Sequence, residues 1–334
     1  MAVYTKINRR EIRFIENNFN IGKIQSFSGI KQGIENTNYL IRTKNKKIIL
    51  TIFERRVQKK DLPFFMELMF GLSKLKIKCP EPIKNKKGKY LFKIKNKSCC
   101  LVSFLKGKDK HNLNYRDCFA VGKKVAQLHL ASKKLKLYRK NDLSVNSWGP
   151  LLNKIHNKIN KLSDNLIKLM RSDLSNIKKK WPKKMPKGII HSDLFIDNIF
   201  FNKGKFYGFI DFYFSANDFL AYELATCINA LCFEKKKKSF VFNKRKSSQL
   251  LKGYQSIRKL SLKEKSNLNT LCRGSALRYL LTRSYDYLNT PKNAIIKIKD
   301  PLEYLDKLNE LGINTDLRPE NLSVSDYCDL TSIS

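Results

Sequence analysis

Short apolar runs separated by polar turns fill the first third of the chain and predict an antiparallel sheet. β-Branched and aromatic residues dominate these runs, and a polar turn at residues 44–46 joins two of them, which is the pattern of a β-hairpin. The predicted strands cover residues 24–27, 37–43, 47–53, 90–94 and 98–104. A small sheet of paired strands is therefore expected before residue 105.

One helix is predicted within this sheet region, over residues 61–75. Asp61 stands where a helix N-cap belongs, and Pro63 is tolerated in a first helical turn. Four apolar residues then fall on one helical face: Phe65, Leu68, Met69 and Leu72.

After Gly107 the apolar spacing changes to three and four residues, which predicts helices. Residues 115–134 form one amphipathic helix, and residues 151–181 form a long, very basic helix or a helix pair. A strand-rich island at 188–212 interrupts them, and helices resume from 218 to about 311. The pattern predicts an α+β chain with a small sheet lobe, a larger and mainly helical lobe, and a polar tail, bounded at 1–105, 106–313 and 314–334.

Composition excludes several classes of protein. No run approaches the roughly 20 apolar residues of a membrane-spanning helix, and the N-terminal segment lacks the apolar centre of a secretory signal. The eight cysteines include no CxxC pair, so neither a zinc site nor a disulfide framework is predicted. We expect a cytoplasmic protein with reduced, buried cysteines.

The net charge of +40 is large enough to suggest a nucleic-acid binder. Its distribution favours another interpretation, because 53 lysines and 15 arginines are spread along the whole chain. The codon bias of an AT-rich genome produces such a composition without a binding role. Runs such as 178–180 and 235–238 are therefore expected to be exposed, and no specific nucleic-acid partner is predicted.

The strand-rich island carries the residues that point to chemistry. His191, Asp193 and Asn198 follow the spacing HxDxxxxN, and Asp211 lies 13 residues further on in the segment GFIDF. This is the pattern of a kinase catalytic loop and its metal-binding aspartate. Asp193 is expected to accept a hydroxyl proton, while Asn198 and Asp211 bind Mg²⁺ at the phosphates of ATP. The sequence thus predicts phosphoryl transfer from ATP, with a structural role for His191.

A glycine pair in the small lobe predicts part of the nucleotide site. Gly29 and Gly33 stand between two predicted strands, where main-chain N–H groups can cover phosphates, and Asn36 follows them. The apolar run at the lobe boundary offers main-chain groups to adenine, with Ser103 and Leu105 as candidates.

Longer segments resemble the aminoglycoside phosphotransferase-like kinases, and within them the homoserine kinase group. The resemblance covers nearly the whole chain, through segments such as GIENTNYLI and VSFLKG, and the segments that resemble the homoserine kinase group are HSDLFIDN, FYF and YDYLNT. It implies a two-lobed protein-kinase-like fold and transfer from ATP, with Mg²⁺, to the side-chain hydroxyl of L-homoserine, a step toward threonine. It also implies Asp193 as the base, with Asn198 and Asp211 as magnesium ligands.

Two alternatives stay open at this point. The same chemistry could act on choline, methylthioribose or an aminoglycoside, and a pseudokinase or basic scaffold could bind nucleotide without turnover. We expect ATP and a small-molecule acceptor as partners, no membrane partner, and a monomer or homodimer.

The chain departs from the kinase pattern at two positions. Kinases place a phosphate-pairing lysine on their third strand, yet Thr51 stands there, and Glu67 on the following helix therefore lacks that partner. The sequence offers three basic substitutes without distinguishing them: Arg42, Lys47 and Arg55. The second departure is Glu223, where an aspartate is expected; a carboxylate is kept.

An amino-acid acceptor carries a carboxylate and an ammonium, and a selective pocket should pair both. The candidates for binding the carboxylate are Arg283 and Arg278. The candidates for surrounding the ammonium are Asp218 or Asp286, with Tyr222 and Asn38. A structural ion-pair network in the large lobe explains the same residues equally well.

Overall fold

The computed structural model describes residues 4–30, 36–54, 57–159, 162–163, 165–237, 239–290 and 299–313. Its helices are α1 (Arg9–Asn18), α2 (Leu62–Lys74), α3 (Tyr115–Lys133), α4 (Val145–Ile155), α5 (Leu166–Lys180), α6 (Leu220–Leu231), α7 (Lys244–Gln255), α8 (Leu262–Ser266), α9 (Leu268–Asn289) and α10 (Leu302–Ile313). Its strands are β1 (Ile24–Gly29), β2 (Thr37–Thr43), β3 (Lys47–Ile52), β4 (Leu91–Ile94), β5 (Lys97–Ser103), β6 (Lys187–Ile190), β7 (Ile199–Asn202), β8 (Lys205–Phe209), β9 (Ala216–Phe219), β10 (Phe233–Lys236) and β11 (Ser239–Phe242). The predicted α+β class is confirmed, because a sheet region comes first and a mainly helical region follows.

The N-terminal strands form one antiparallel sheet in the order β1-β2-β3-β5-β4. Both predicted hairpins are present, since β2 pairs with β3 and β4 pairs with β5. Apolar side chains of the sheet meet those of α1 in a small buried cluster. The predicted apolar face of α2 is buried as well, but it belongs to the main core of the molecule.

Asp61 precedes α2 as predicted, but its side chain does not cap the helix, so this prediction is wrong. The residue ends a 3₁₀ turn and has helical backbone angles, φ −89° and ψ −15°, whereas a capping residue typically has an extended backbone. Its carboxylate instead accepts a hydrogen bond of 2.8 Å from Arg139 Nε. Asp61 therefore ties the start of α2 to the segment that follows α3.

A buried carboxylate joins three parts of the small lobe. Glu54, shortly after β3, accepts hydrogen bonds from the hydroxyls of Thr5 (2.7 Å) and Thr37 (2.6 Å) and pairs with the ammonium of Lys97. Burial alone raises the pKa of Glu54, but the hydrogen bonds and charge of these partners outweigh burial and hold its pKa below the ordinary value. The carboxylate is charged at neutral pH and connects the N-terminal segment, β2 and β5.

Two helices of the large lobe cross in very close contact. A Cβ atom on Gly122 of α3 would lie 1.9 Å from a carbonyl oxygen of α7, and one on Gly253 of α7 would lie 1.9 Å from a carbonyl oxygen of α3. Only glycine fits at both positions. The crossing places His129 of α3 against Tyr254, with 2.8 Å between Nδ1 and the phenol oxygen.

The helical region differs from its prediction in two places. The basic stretch 151–181 is a helix pair, and its first member, α4, already begins at Val145. The continuous helices predicted from 218 onward are interrupted by the hairpin β10–β11. Its strands, FEKK and SFVF, carry too few alternating apolar positions to signal a hairpin in the sequence.

Burial elsewhere follows the sequence patterns. The seven cysteines that the structure describes are buried free thiols, and Cys328 lies outside the described residues. Lysines 178–180 and 235–237 are exposed, while residue 238 is not described. No helix in the described part of the chain is long and apolar enough to cross a membrane. The lobe boundary at residue 105 stays a prediction.

Replacing Glu54 with Gln should lower the free energy of unfolding by about 1–3 kcal/mol at pH 7, because the buried network loses its charged acceptor. Since folding depresses the pKa of Glu54, the carboxylate stabilises the fold above its ordinary pKa of 4.5, and this contribution is lost as the pH falls further. Urea unfolding of both proteins at pH 7 and pH 4 measures the difference, which should shrink at the lower pH.

Glu81→Gln is the matched control for this prediction. Glu81 pairs with Lys74 at the surface, 3.0 Å apart, and a surface pair contributes little to stability. An equal loss of stability in both variants would contradict the role given to the buried network.

Candidate active site

The catalytic loop connects β6 with β7, and its hydrogen bonds bring the predicted catalytic and metal-binding residues together. The side-chain nitrogen of Asn198 donates to the main-chain oxygen of Asp193 at 2.7 Å and to its Oδ2 at 3.1 Å. The carbonyl oxygen of Asn198 accepts from the N–H of Ile210 at 3.0 Å. His191 donates from Nε2 to the carbonyl oxygen of Ile210 at 2.8 Å. Ile210 directly precedes Asp211, so main-chain pairing holds the aspartate that is predicted to bind the metal beside the loop.

Two residues of the site have left-handed backbone conformations. Ser192 has a φ of 69° and Asp211 a φ of 64°, in a region that residues other than glycine rarely occupy. Such a conformation costs about 1–3 kcal/mol and persists only where the surroundings impose it. Beside Asp211, the ring of Phe212 packs on His191 with 4.5 Å between ring centroids. This contact is one of those that hold the strained backbone.

A buried carboxylate holds the catalytic loop from the side of α6. Glu223 accepts hydrogen bonds from the main-chain N–H groups of His191 and Ser192, the second at 3.0 Å. Its side chain is fully buried and lies 4.0 Å from Nε2 of His129. Burial lowers the pKa of both histidines, so both imidazoles are neutral at pH 7. The structural role predicted for His191 is confirmed, and Glu223 supplies two oxygens to two adjacent donors.

Two residues of α9 contact Asp193 or the residue before it, and these contacts were not predicted. The phenol of Tyr279 donates to Asp193 Oδ1 at 3.3 Å and to the carbonyl oxygen of Ser192 at 3.0 Å. Arg278 Nη1 donates to the same carbonyl oxygen at 2.8 Å. Burial raises the pKa of Asp193, and the charge of Arg278 counteracts part of this rise. A carboxylate with a raised pKa is a stronger proton acceptor, as a general base must be.

The donor set beside this carboxylate suits a hard cation with few protein ligands. The side-chain nitrogen of Asn198 is used by Asp193, which leaves the amide oxygen to act as a ligand, and the carboxylate of Asp211 would be the second donor. Mg²⁺ is usually held by one or two protein oxygens together with phosphate oxygens and water. Among the described residues there is no group of three or more acidic, histidine or cysteine side chains that could enclose a metal. These residues fit a magnesium ion that is shared with a nucleotide.

The residues predicted to bind nucleotide lie in or next to the small-lobe sheet. Gly29 is the exposed last residue of β1, while Gly33 lies outside the described residues. Asn36 is buried, and its side-chain oxygen has no hydrogen-bond partner in the described structure. Ser103 ends β5, where its hydroxyl accepts from a main-chain N–H at 2.8 Å, and Leu105 follows in an irregular segment. Their contacts with ATP stay predictions.

Thr51 occupies the strand position where a lysine is expected. It is buried in β3, and its hydroxyl donates to Oδ1 of Asn38 across the sheet at 2.8 Å. Arg42 and Lys47 are exposed, and they stand opposite each other in the β2–β3 hairpin, at the end next to its turn. Arg55 lies outside the described residues. Neither of the two described candidates is therefore placed beside Thr51.

The residues predicted to surround an acceptor's ammonium lie in different environments. Asp218 is buried, and its carboxylate accepts from an asparagine amide at 2.7 Å. Tyr222 is fully buried in α6, whereas Asp286 is half-buried on α9. Asn38 lies in the sheet and is bonded to Thr51. These assignments stay predictions.

Arg283, one of the two arginines predicted to bind an acceptor's carboxylate, has protein partners of its own. Arg283 Nη1 donates to Glu303 at 2.6 Å and to the carbonyl oxygen of Asp300 at 3.0 Å. Its guanidinium also lies 4.5 Å from the ring centroid of Tyr304. Glu303 had no signal in the sequence, because the pairing depends on how α10 packs against α9. The ion pair supports the structural alternative, and the acceptor contact of Arg283 stays a prediction.

Replacing Glu223 with Gln should lower the free energy of unfolding by about 1–3 kcal/mol and lower kcat by about tenfold or more, because a displaced loop misplaces the base. One loop N–H would then face the amide nitrogen of the new side chain instead of an oxygen. Chemical unfolding and steady-state kinetics measure the two effects.

Glu264→Gln is the control for this variant. Glu264 is also buried and accepts from the N–H of Ser261 at 3.0 Å and from Arg258 at 2.8 Å. Its replacement should lower stability without changing kcat. A Glu223→Gln variant with the kcat of the wild type would contradict the holding role.

Comparison with known proteins places the site in a family context. The model of the phosphotransferase enzyme family matches residues 26–246. The chain is 41% identical over 308 residues to a homoserine kinase of Brucella anthropi, covering 92% of this chain and 94% of the relative. It is 43% identical to a homoserine kinase of Agrobacterium fabrum, covering 92% and 95% of the two chains.

Solved structures with similar folds are small-molecule kinases. An amicoumacin kinase in complex with AMP-PNP and Ca²⁺ has a TM-score of 0.70 at 14% identity, covering 94% of this chain and 96% of that one. A spectinomycin phosphotransferase in complex with ADP and spectinomycin has a TM-score of 0.63 at 15% identity, covering 98% and 100%. At these identities the likeness concerns the fold, and the predicted two-lobed, protein-kinase-like architecture is confirmed.

Proposed function

Because the chain belongs to the phosphotransferase enzyme family, we propose that it transfers the γ-phosphoryl group of ATP to the side-chain hydroxyl of L-homoserine. The observation that carries this proposal is its 41–43% identity, over 92% of its length, to proteins named homoserine kinase. The products are ADP and O-phospho-L-homoserine, a step toward threonine. Mg²⁺ as the metal, a cytoplasmic location and a monomer or homodimer are parts of the same proposal.

In the proposed reaction the acceptor hydroxyl attacks the γ-phosphorus of ATP. The new oxygen–phosphorus bond forms while the bond from the γ-phosphorus to the β,γ-bridging oxygen breaks, and the hydroxyl proton passes to Asp193. Tyr279 and Asn198 each donate to one oxygen of this carboxylate, which fixes its orientation. Asn198 and Asp211 would hold Mg²⁺, which when bound neutralises charge on the phosphates.

A coupled assay of ADP release tests the acceptor. With ATP and Mg²⁺, L-homoserine should give the highest kcat/KM in a panel that also contains choline, methylthioribose and an aminoglycoside. A higher value for another acceptor would replace L-homoserine in the proposal. Nucleotide binding without ADP release for any acceptor would favour the non-catalytic alternative.

Asp193→Asn should lower kcat by about 10²–10⁴-fold, the usual contribution of a general base, and leave ATP binding near that of the wild type. The amide keeps the size of the side chain and loses its ability to accept the proton. Steady-state kinetics and calorimetry with ATP separate the two quantities. Turnover that survives the change would show that Asp193 is not the base.

Arg283→Ala should raise KM for L-homoserine by about tenfold or more, the effect of losing a charge-assisted hydrogen bond, with little change in KM for ATP. Glu303→Gln is the matched control, since it breaks the ion pair at 2.6 Å and leaves the guanidinium in place. Equal changes in KM from both variants would assign Arg283 to the structural network instead.

A further inference from the structure

The strand position that lacks a lysine has a neighbour from the metal-binding loop. Tyr213, two residues after Asp211, brings its phenol oxygen to 3.7 Å from the thiol of Cys100. Cys100 pairs with Thr51 across strands β3 and β5. A side chain of the large lobe thus reaches the strand residue directly opposite the place on β3 where kinases keep their lysine.

Aromatic contacts with the small lobe hold the ring of Tyr213. Phe53, after β3, meets it edge-on with 5.0 Å between centroids and an interplanar angle of 89°. Phe65 of α2 meets it at 5.9 Å and 85°. Edge-to-face pairs of this kind contribute about 0.5–1.5 kcal/mol each beyond their burial. Residues from both the sheet and α2 therefore contact one residue of the metal-binding loop.

The hydrogen-bond partner of the phenol, the thiol of Cys100, is uncharged. Opposite Cys100 in the sheet, the Thr51 hydroxyl donates to Oδ1 of Asn38 at 2.8 Å. In the kinase pattern this place holds a charged pair of lysine and glutamate. Glu67, the helix carboxylate of that pattern, is exposed here and forms no ion pair with a described residue.

We propose that Tyr213 is a positioning residue that seats the Asp211 loop on the small lobe, at Cys100 of β5, Phe53 and Phe65, and replaces, without charge, the link that the lysine and glutamate make elsewhere. The left-handed backbone of Asp211 must be imposed by its surroundings. The two residues that follow Asp211 pack in different places. Phe212 packs on His191 of the catalytic loop, and Tyr213 packs in the small lobe. The inference rests on the proposed function, because it takes Asp211 as a magnesium ligand.

Tyr213→Phe tests this role, because it keeps the ring and removes only the phenol oxygen. Titration of the enzyme with Mn²⁺ in the presence of ADP, followed by electron paramagnetic resonance of free Mn²⁺, should show a Kd raised about fivefold, the effect of losing one ordinary hydrogen bond. The thermal midpoint should fall by no more than about 2–4 °C, the cost of one hydrogen bond in a chain of this size. An unchanged Kd in this variant would overturn the proposal.

Tyr90→Phe is the matched control. Tyr90 is a buried tyrosine near the same sheet, and its hydroxyl has no hydrogen-bond partner in the described structure. Its replacement should leave the Kd of Mn²⁺ unchanged. A rise equal to that of Tyr213→Phe would show a general effect of losing a buried hydroxyl and would overturn the proposal.

Cys100→Ala tests the contact with β5. Its Kd for Mn²⁺ should rise as in Tyr213→Phe, and the double variant should show no further rise, because both changes break the same link. Effects that multiply in the double variant would overturn this link. The titration needs no acceptor, so it is independent of the acceptor assay. A wild-type chain that binds Mn²⁺ with ADP but releases no ADP with L-homoserine contradicts the proposed acceptor alone. A wild-type chain that binds no Mn²⁺ with ADP contradicts the metal assignment.

Discussion

The site depends on the main-chain groups of one residue, Ile210. Its N–H donates to the carbonyl oxygen of Asn198 at 3.0 Å, and its own carbonyl oxygen accepts from His191 at 2.8 Å. Buried main-chain groups must be paired, so the catalytic loop and the metal-binding loop cannot separate without leaving several of them unpaired. Asp211 is the next residue, and its distance from the catalytic loop is therefore set by main-chain pairing before any metal or nucleotide is present.

The small lobe contacts the loops of the active site through groups that do not rely on exposed charge, although the chain carries a net charge of +40. One is the phenol of Tyr213 among aromatic and uncharged polar groups. Another is Arg139, which binds Asp61 and donates to the carbonyl oxygen of Ser215 at 3.3 Å. The side chains of Arg139 and Asp61 are only 16% and 12% exposed, so salt screens this pair less than a surface pair. The exposed lysines take no part in either contact.

Local patterns account for what the sequence predicted well. The hairpins of the first sheet, the apolar faces of α2 and α3 and the HxDxxxxN motif each depend on residues a few positions apart, so their spacing alone carries the signal. Contacts between distant segments leave no such signal: Arg139 binds Asp61 across 78 positions, and Arg278 binds Ser192 across 86. Asp61 shows the consequence, because its place in the sequence suits a helix cap and a distant arginine takes its carboxylate. The roles of Tyr279 and Glu303 were missed for the same reason.

Two buried side chains of opposite charge, Glu223 and Arg278, contact the catalytic loop, and they are tolerated because both bind the same stretch of its backbone. Glu223 accepts from the N–H groups of His191 and Ser192, and Arg278 donates to the carbonyl oxygen of Ser192. An isolated buried charge costs several kcal/mol, but here each charge meets peptide groups of opposite partial charge. Ser192 has a left-handed φ of 69°. In this conformation its main-chain N–H is bound by α6 and its carbonyl oxygen by α9. Asp193 follows directly, so two helices that lie after the motif in the sequence set the position of the base, and the short motif can act only within this fold.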